Sequence, residues 1–235
     1  MNNNPIGVFD SGVGGLSCVP AIAKELPNEQ IIYFGDTARA PYGCRDPKEI
    51  IEFSLEVADK LIGMGCKSLS IACNTITAVA LDALEKHCSV PVIGIIPPVI
   101  QYLNSNYADK RIGVIATEAT VKSGAYPYKA KAAIPFVPNI EKAGTVPDEV
   151  IREVLDDFVV DIDVLVLGCT HYPFARPSIE RLYKDLIIVD PAEELAKKTK
   201  EVLTANNLLA KEKKENIYLA SKVTDTFNDI VRRIK

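Results

Sequence analysis

The sequence is poor in the residues from which metal centres are built. It has two histidines, His87 and His171, and its six cysteines, Cys18, Cys44, Cys66, Cys73, Cys88 and Cys169, contain no C-x-x-C pair. No metal is therefore expected, and reduced thiols in an intracellular protein are the default reading. Basic residues form no stripe and the net charge is −4, which argues against nucleic acid and anionic membrane as partners. No apolar run is long enough to span a bilayer, and the opening "MNNNPIGVFD" has no basic region followed by a long apolar one. The expected location is the cytoplasm. A chain of 235 residues that is 48% hydrophobic and 25% charged suits one large domain or two smaller ones, with a sizeable core in either case.

What is present is a repeated placement of cysteine. In "LSIACNTIT", Leu69, Ile71 and Ala72 read as a buried strand, and the chain turns through Cys73, Asn74 and Thr75 into helical spacing. In "VLVLGCTHYP" a second apolar run, Val164 to Leu167, delivers Cys169, Thr170 and His171. The carboxyl end of a strand in an open parallel sheet is where ligands bind, and an adjoining helix N-terminus favours a thiolate or a bound carboxylate. Two such cysteines suggest one site with two thiols.

Read in order, Ile6 to Phe9 is the first strand, ending at Asp10 and Ser11, with Gly12, Gly14 and Gly15 forming a tight turn before a helix face of Leu16, Val19, Ile22, Ala23 and Leu26. Ile31 to Phe34 follows, then the polar loop "GDTARAPYGCRD". A helix opens at Asp46-Pro47, with Glu49 completing an Asp-x-x-Glu capping pattern, and runs to about Met64. Val92 to Ile96 is the next strand, and Pro97-Pro98 is the candidate for a first crossing between domains. From Arg111, "RIGVIATEATVKSGAY" echoes "PIGVFDSGVGGLSCV" as a strand, polar turn and helix. Asp190-Pro191 with Glu193 starts another capped helix. The charge run "AKEKKEN" then reads as a solvated connection back to the first domain, which gains the strand Ile217 to Leu219 and a final amphipathic helix.

The expected fold is α/β, with two similar domains, each a mostly parallel sheet flanked by helices, and an active site in the cleft between them. The expected boundaries are 1–97 plus 209–235 for the first domain and 98–208 for the second. Two opposed thiols without a metal suit inversion of a carbon stereocentre, which requires a base on one face and an acid on the other. A thiol with a pKa of about 8.5 is a poor base unless a neighbour lowers that value or takes its proton. Asp10 and His171 are the neighbours on offer.

At these residues the chain resembles the glutamate racemase family, cofactor-independent enzymes that make D-glutamate for bacterial cell-wall peptidoglycan. The resemblance rests on "FDSGVGGLS", "YFGDTARAPYG", "ACNT", "ATEATVKSGAY", "FVPNIE" and "LGCTHYP" in the family's order, and covers nearly the whole chain. It implies that Cys73 and Cys169 are the catalytic acid/bases, Cys73 taking the α-proton of D-glutamate and Cys169 that of L-glutamate, with Asp10 and His171 as their polar helpers. It also implies substrate binding by Asp10, Ser11, Tyr42, Gly43, Asn74, Thr75, Thr170 and His171, and by Thr117, Thr120 and Glu141. Glutamate is then the small-molecule partner, no cofactor is needed, and a homodimer is the expected assembly. The segment between Tyr126 and Phe136 is shorter than is usual in the family. Ile76 stands where the family more often has a small residue, so it either narrows the pocket wall or points into the core.

Plainer readings compete. Cys18, Cys66 and Cys88 read as small core hydrophobes, His87 as a side chain at a helix end, and Asp10 on its own as a turn residue. Dinucleotide binding is a rival, since "GVGGLS" follows a strand and Asp36 follows the next, but G-x-G-x-x-G read from Gly12 fails at Ser17. A non-enzymatic redox or metal-binding thiol protein is the other, and it lacks a resolving cysteine nearby in sequence.

Overall fold

In the computed structural model, which describes residues 2–234, the chain builds two parallel sheets of the same plan. The first half runs β1 (Ile6–Asp10), α1 (Val19–Glu25), β2 (Ile31–Gly35), α2 (Pro47–Gly63), β3 (Ser68–Ile71), α3 (Asn74–His87), β4 (Val92–Gly94) and α4 (Ile96–Asn106). The second runs β5 (Ile112–Ala116), α5 (Glu118–Ser123), β6 (Lys129–Ala132), α6 (Phe136–Ala143), α7 (Asp148–Val159), β7 (Val164–Gly168), α8 (Arg176–Leu182), β8 (Ile187–Val189) and α9 (Ala192–Ala205). It is followed by β9 (Ile217–Ala220) and α10 (Asp225–Ile234).

The strand orders are β4-β3-β1-β2-β9 and β6-β5-β7-β8. In each sheet the first strand is central, the second pairs on one side of it, and the third and fourth lie on the other. The chain therefore changes direction between β1 and β3, and again between β5 and β7. Those are the switch points where a crevice opens at the carboxyl ends of the strands. Cys73 follows β3 and Cys169 follows β7, so the two cysteines hold equivalent places in the two sheets.

Alternation along the strands explains why both faces are apolar. From β5 and β7, Ile112, Val114, Val164 and Val166 join Ile6 and Val8 of β1 in one middle core, which also takes Ile22 of α1, Val99 and Leu103 of α4 and Leu195 and Leu203 of α9. The opposite faces bury outward: Phe9, Leu69 and Ile71 against Ile50, Val57 and Leu61 of α2, and Leu165 and Leu167 against Ile151 and Leu155 of α7. Ile76 is 1% exposed in the α2–α3 core, which decides between its two readings in favour of packing. Cys18 and Cys66 are buried as expected, Cys88 is half-buried, and His87 is exposed beside Asp59.

Several local expectations change. The strand from Val92 stops at Gly94, because Ile95 already has helical dihedrals and Pro97-Pro98 fall in the first turn of α4, where their missing N–H groups cost no hydrogen bond. Asp46 caps α2 by accepting from the Lys48 N–H at 2.8 Å, but the Glu49 carboxylate lies 3.5 Å from Arg45. The shortened segment after Tyr126 still yields β6, an edge strand on β5. Among the described residues no helix is long and apolar enough to cross a membrane.

Candidate active site

The carboxyl ends of the two sheets enclose one cavity of about 390 Å³. Its walls come from the turns after β1 (Ser11, Gly12), β2 (Tyr42, Gly43), β3 (Cys73, Asn74, Thr75), β5 (Thr117), β6 (Ala133) and β7 (Cys169, Thr170, His171), with Glu141 from α6. The two cysteines expected to share a site thus line the same space. Asp10 and Thr120 do not line it and stand one layer behind.

Cys73 is the N-cap of α3, with extended dihedrals. Its Sγ lies 3.6 Å from Ser11 Oγ and near the Ile76 N–H. Burial pushes its thiol up to about 12 and the charge of Asp10 adds to this, against the hydrogen bonds from Ile76 and Ser11. Asp10 is 1% exposed at the end of β1. Its Oδ1 accepts from the Gly12 N–H at 2.8 Å and its Oδ2 from the Thr170 hydroxyl at 3.1 Å. Burial raises its carboxyl pKa, while His171 and those two donors pull it back.

On the opposite wall Cys169 Sγ lies 3.9 Å from His171 Nδ1, and His171 Nε2 is 3.1 Å from Glu141 Oε1. Burial alone would lower the His171 pKa. Its contacts with Cys169 and Glu141, with the charges of Cys169 and Asp10, outweigh that and raise it to about 10. The Glu141 carboxyl is lowered in turn, chiefly by the His171 hydrogen bond and against partial burial.

Hydroxyls and close backbone approaches stitch the two sheet units together around this space. Thr75 Oγ1 is 2.8 Å from Thr117 Oγ1, which is 2.9 Å from Thr120 Oγ1 and caps α5. Ser17 Oγ donates to the Thr170 carbonyl at 3.2 Å, and the Tyr126 hydroxyl to Asn74 Oδ1 at 2.7 Å. A Cβ on Gly43 would come within 2.9 Å of Thr117 Cβ, so only glycine lets that loop approach the second unit so closely. Tyr42 is buried and its hydroxyl donates to buried Asp36, which also receives Arg39 Nε at 2.6 Å.

Some of the wall went unread in the sequence. Ala133, Ile134, Val137 and Pro138 form an apolar side of the cavity, and Ala40, Pro41, Cys44, Glu118 and Tyr172 also line it. Aliphatic residues in and before a short helix carry no chemical signal. Only Val137 and Pro138, by their place in "FVPNIE" with Glu141, were pointed to at all. Among the described residues no group of three or more His, Cys, Asp or Glu is placed to hold a metal ion.

The arrangement is two thiols and an imidazole-carboxylate pair in a small, hydroxyl-rich space, which suits proton transfer at a carbon held by its polar substituents. Comparison with known proteins agrees. The profile of the Asp/Glu/Hydantoin racemase family matches residues 6–199. The glutamate racemase of Corynebacterium diphtheriae is 41% identical over 228 residues, which cover 90% of this chain and 86% of that protein. Among solved structures, glutamate racemase from Thermus thermophilus in complex with β-chloro-D-alanine superposes with a TM-score of 0.89 at 37% identity, covering 100% and 94% of the two chains. Glutamate racemase from Francisella tularensis in complex with D-glutamate gives 0.91 at 34%, with the same coverage.

Proposed function

The chain belongs to the Asp/Glu/hydantoin racemase family, and from that premise we propose that it interconverts L- and D-glutamate by proton transfer between Cα and two thiols. One observation carries the proposal: Cys73 and Cys169, from equivalent strand ends of two like sheets, line one cavity. In the D-to-L direction the thiolate of Cys73 takes the α-proton, the electron pair is held at Cα and the adjoining carboxylate, and the thiol of Cys169 gives a proton to the opposite face. The roles exchange in the other direction. No cofactor takes part, and the D-glutamate formed supplies peptidoglycan synthesis.

The other residues have roles that follow from their positions. Ser11, Asn74, Thr75, Thr117 and Thr170 line the cavity and offer donors to the substrate's carboxylates. Tyr42 and Gly43 close one side of the binding space, and Thr120 fixes the Thr75–Thr117 pair from behind. Asp10 orients Thr170 and sets the field at Cys73, while His171, held by Glu141, is the proton partner of Cys169.

Racemisation in deuterated water tests this reading. With two unlike groups at work, early product carries solvent deuterium at Cα while remaining substrate stays protiated, and Cys73→Ala and Cys169→Ala each abolish turnover without added cofactor. Transfer of the original proton into product, or near-normal turnover by either variant, would overturn it. L-aspartate assayed alongside tests the substrate.

A further inference from the structure

Tyr126 closes the motif "ATEATVKSGAY", and none of the roles above falls to it. Its side chain is buried in the connection between α5 and β6. Its hydroxyl donates to Asn74 Oδ1 at 2.7 Å, a bond that runs from the second sheet unit to the first turn of α3, directly beside Cys73. Asn74 lines the cavity. A primary amide has an acceptor at one end and a two-proton donor at the other, and half a turn about its last torsion exchanges them. With Oδ1 engaged by Tyr126, the donor end is left over: Asn74 Nδ2 is buried and has no hydrogen-bond partner. Buried amide donors in folded proteins are almost always paired, so an orphan on a residue that lines the cavity points to an acceptor that arrives with the ligand.

We infer that Tyr126 is a positioning residue, which by holding Asn74 Oδ1 turns the Nδ2 donor toward a carboxylate of the bound substrate and excludes the flipped amide, whose oxygen would meet that anion. This rests on the glutamate reading. Both enantiomers carry the same carboxylates, so the loss is of similar size in the two directions.

Tyr126→Phe keeps the ring and removes the donor. Its KM for D- and L-glutamate is expected to rise about three- to tenfold, the span of one neutral hydrogen bond. In an Asn74→Ala background the same change adds nothing further, because there is no amide left to orient. An unchanged KM in Tyr126→Phe, or an equal further loss in the Asn74→Ala background, overturns the assignment. If Asn74→Ala is itself indistinguishable from wild type, the reading of Asn74 as a substrate donor fails with it. If Asn74→Ala is impaired and Tyr126→Phe is not, only the role of Tyr126 falls. A measurement on the unmodified protein keeps the test independent of folding. A nuclear Overhauser effect between the Asn74 side-chain NH₂ and the Tyr126 ε ring protons would place the donor end against the tyrosine and refute the inference. Its absence, with the rise in KM, supports it.

Discussion

Gly14→Ala is the most direct test of how the two sheet units are fitted together. A Cβ built on Gly14 lies 2.5 Å from Thr170 Oγ1, 2.6 Å from His171 Nδ1 and 2.8 Å from His171 Cε1. Ordinary van der Waals contact begins at about 3.4 Å, so the Cys169–His171 turn must withdraw by roughly 0.6 to 0.9 Å or the first turn must bend. Neither is easy. Thr170 is tied to Asp10 at 3.1 Å and by its carbonyl to Ser17 at 3.2 Å, and His171 to Glu141 at 3.1 Å. Overpacking of this kind costs about 1–3 kcal/mol of stability, and a displacement near 1 Å at the reacting groups costs about a hundredfold in rate. The expected result is a lower urea midpoint together with a fall in kcat of roughly ten- to a hundredfold, measured by circular dichroism of glutamate racemisation under conditions where the variant is fully folded. Gly12→Ala in the same turn is the control for stability, since its Cβ meets only Ala40 Cβ at 3.7 Å, an ordinary contact. A Gly14→Ala protein with wild-type midpoint and kcat would refute the reasoning.

Two further outcomes follow from buried charges. The raised His171 pKa means that its stabilising contribution is complete below about 6.5 and is lost as pH rises through about 10, so the urea midpoint should fall across that window, and fall less in His171→Asn. Equal slopes in the two proteins would contradict this. At the other end of the first sheet, Lys67 Nζ is 2.6 Å from Glu29 Oε2, with side chains 1% and 2% exposed. Lys67→Met strands a buried carboxylate and should cost about 3–5 kcal/mol in denaturant unfolding, much of it recovered by adding Glu29→Gln; a single-variant loss below about 1 kcal/mol would sink the assignment.

The sequence announced the parts of this fold that repeat. Apolar runs ending in a polar turn and a helix can be read wherever a parallel strand is covered on both faces, and for that reason β1, β3, β5 and β7, and the cysteines after two of them, were legible. The echo between Ile6 and Arg111 is the trace of the shared strand order. The second layer of the site was not legible. Asp10 and Thr120 do not line the cavity and meet Thr170 and Thr117 behind it, and neither the strand-end place of Asp10 nor the helical place of Thr120 says how far a short side chain reaches into the space. "GDTARAPYG" reads as a polar loop, yet Asp36 and Tyr42 are each 1% exposed, with Asp36 Oδ2 accepting from both the Tyr42 hydroxyl and Arg39 Nε. Such a pairing is a tertiary fact with no periodicity to betray it. Glu141 is a similar case: its distance to His171 depends on α6 folding back across the β7 turn, and motif context alone suggested it.

The repeated plan also exposes where the two halves cease to be equivalent. Backbone topology gives Cys73 and Cys169 the same place, the turn after the third strand of each sheet. The side chains around them differ in charge. Beside Cys73, burial and then the Asp10 carboxylate disfavour the thiolate and raise the thiol's pKa. Beside Cys169 is an imidazole held protonated by its surroundings and pinned from behind by Glu141. The Thr170 hydroxyl, donating to Asp10 from the turn that carries Cys169, ties the two environments together. In the proposed reaction a proton must leave one face of a single carbon and arrive at the other, so each turnover moves the thiol hydrogen from one of these environments to the other. The forward and reverse reactions then differ in which environment must be reset, even though the carbon and its carboxylates are the same. Two like sheets are enough to place the two thiols. In the proposed reaction, making the pair run in both directions falls to Asp10, His171 and Glu141; Ala116 stands at the end of β5 where Asp10 ends β1, and Thr75 stands two residues after Cys73 where His171 follows Cys169.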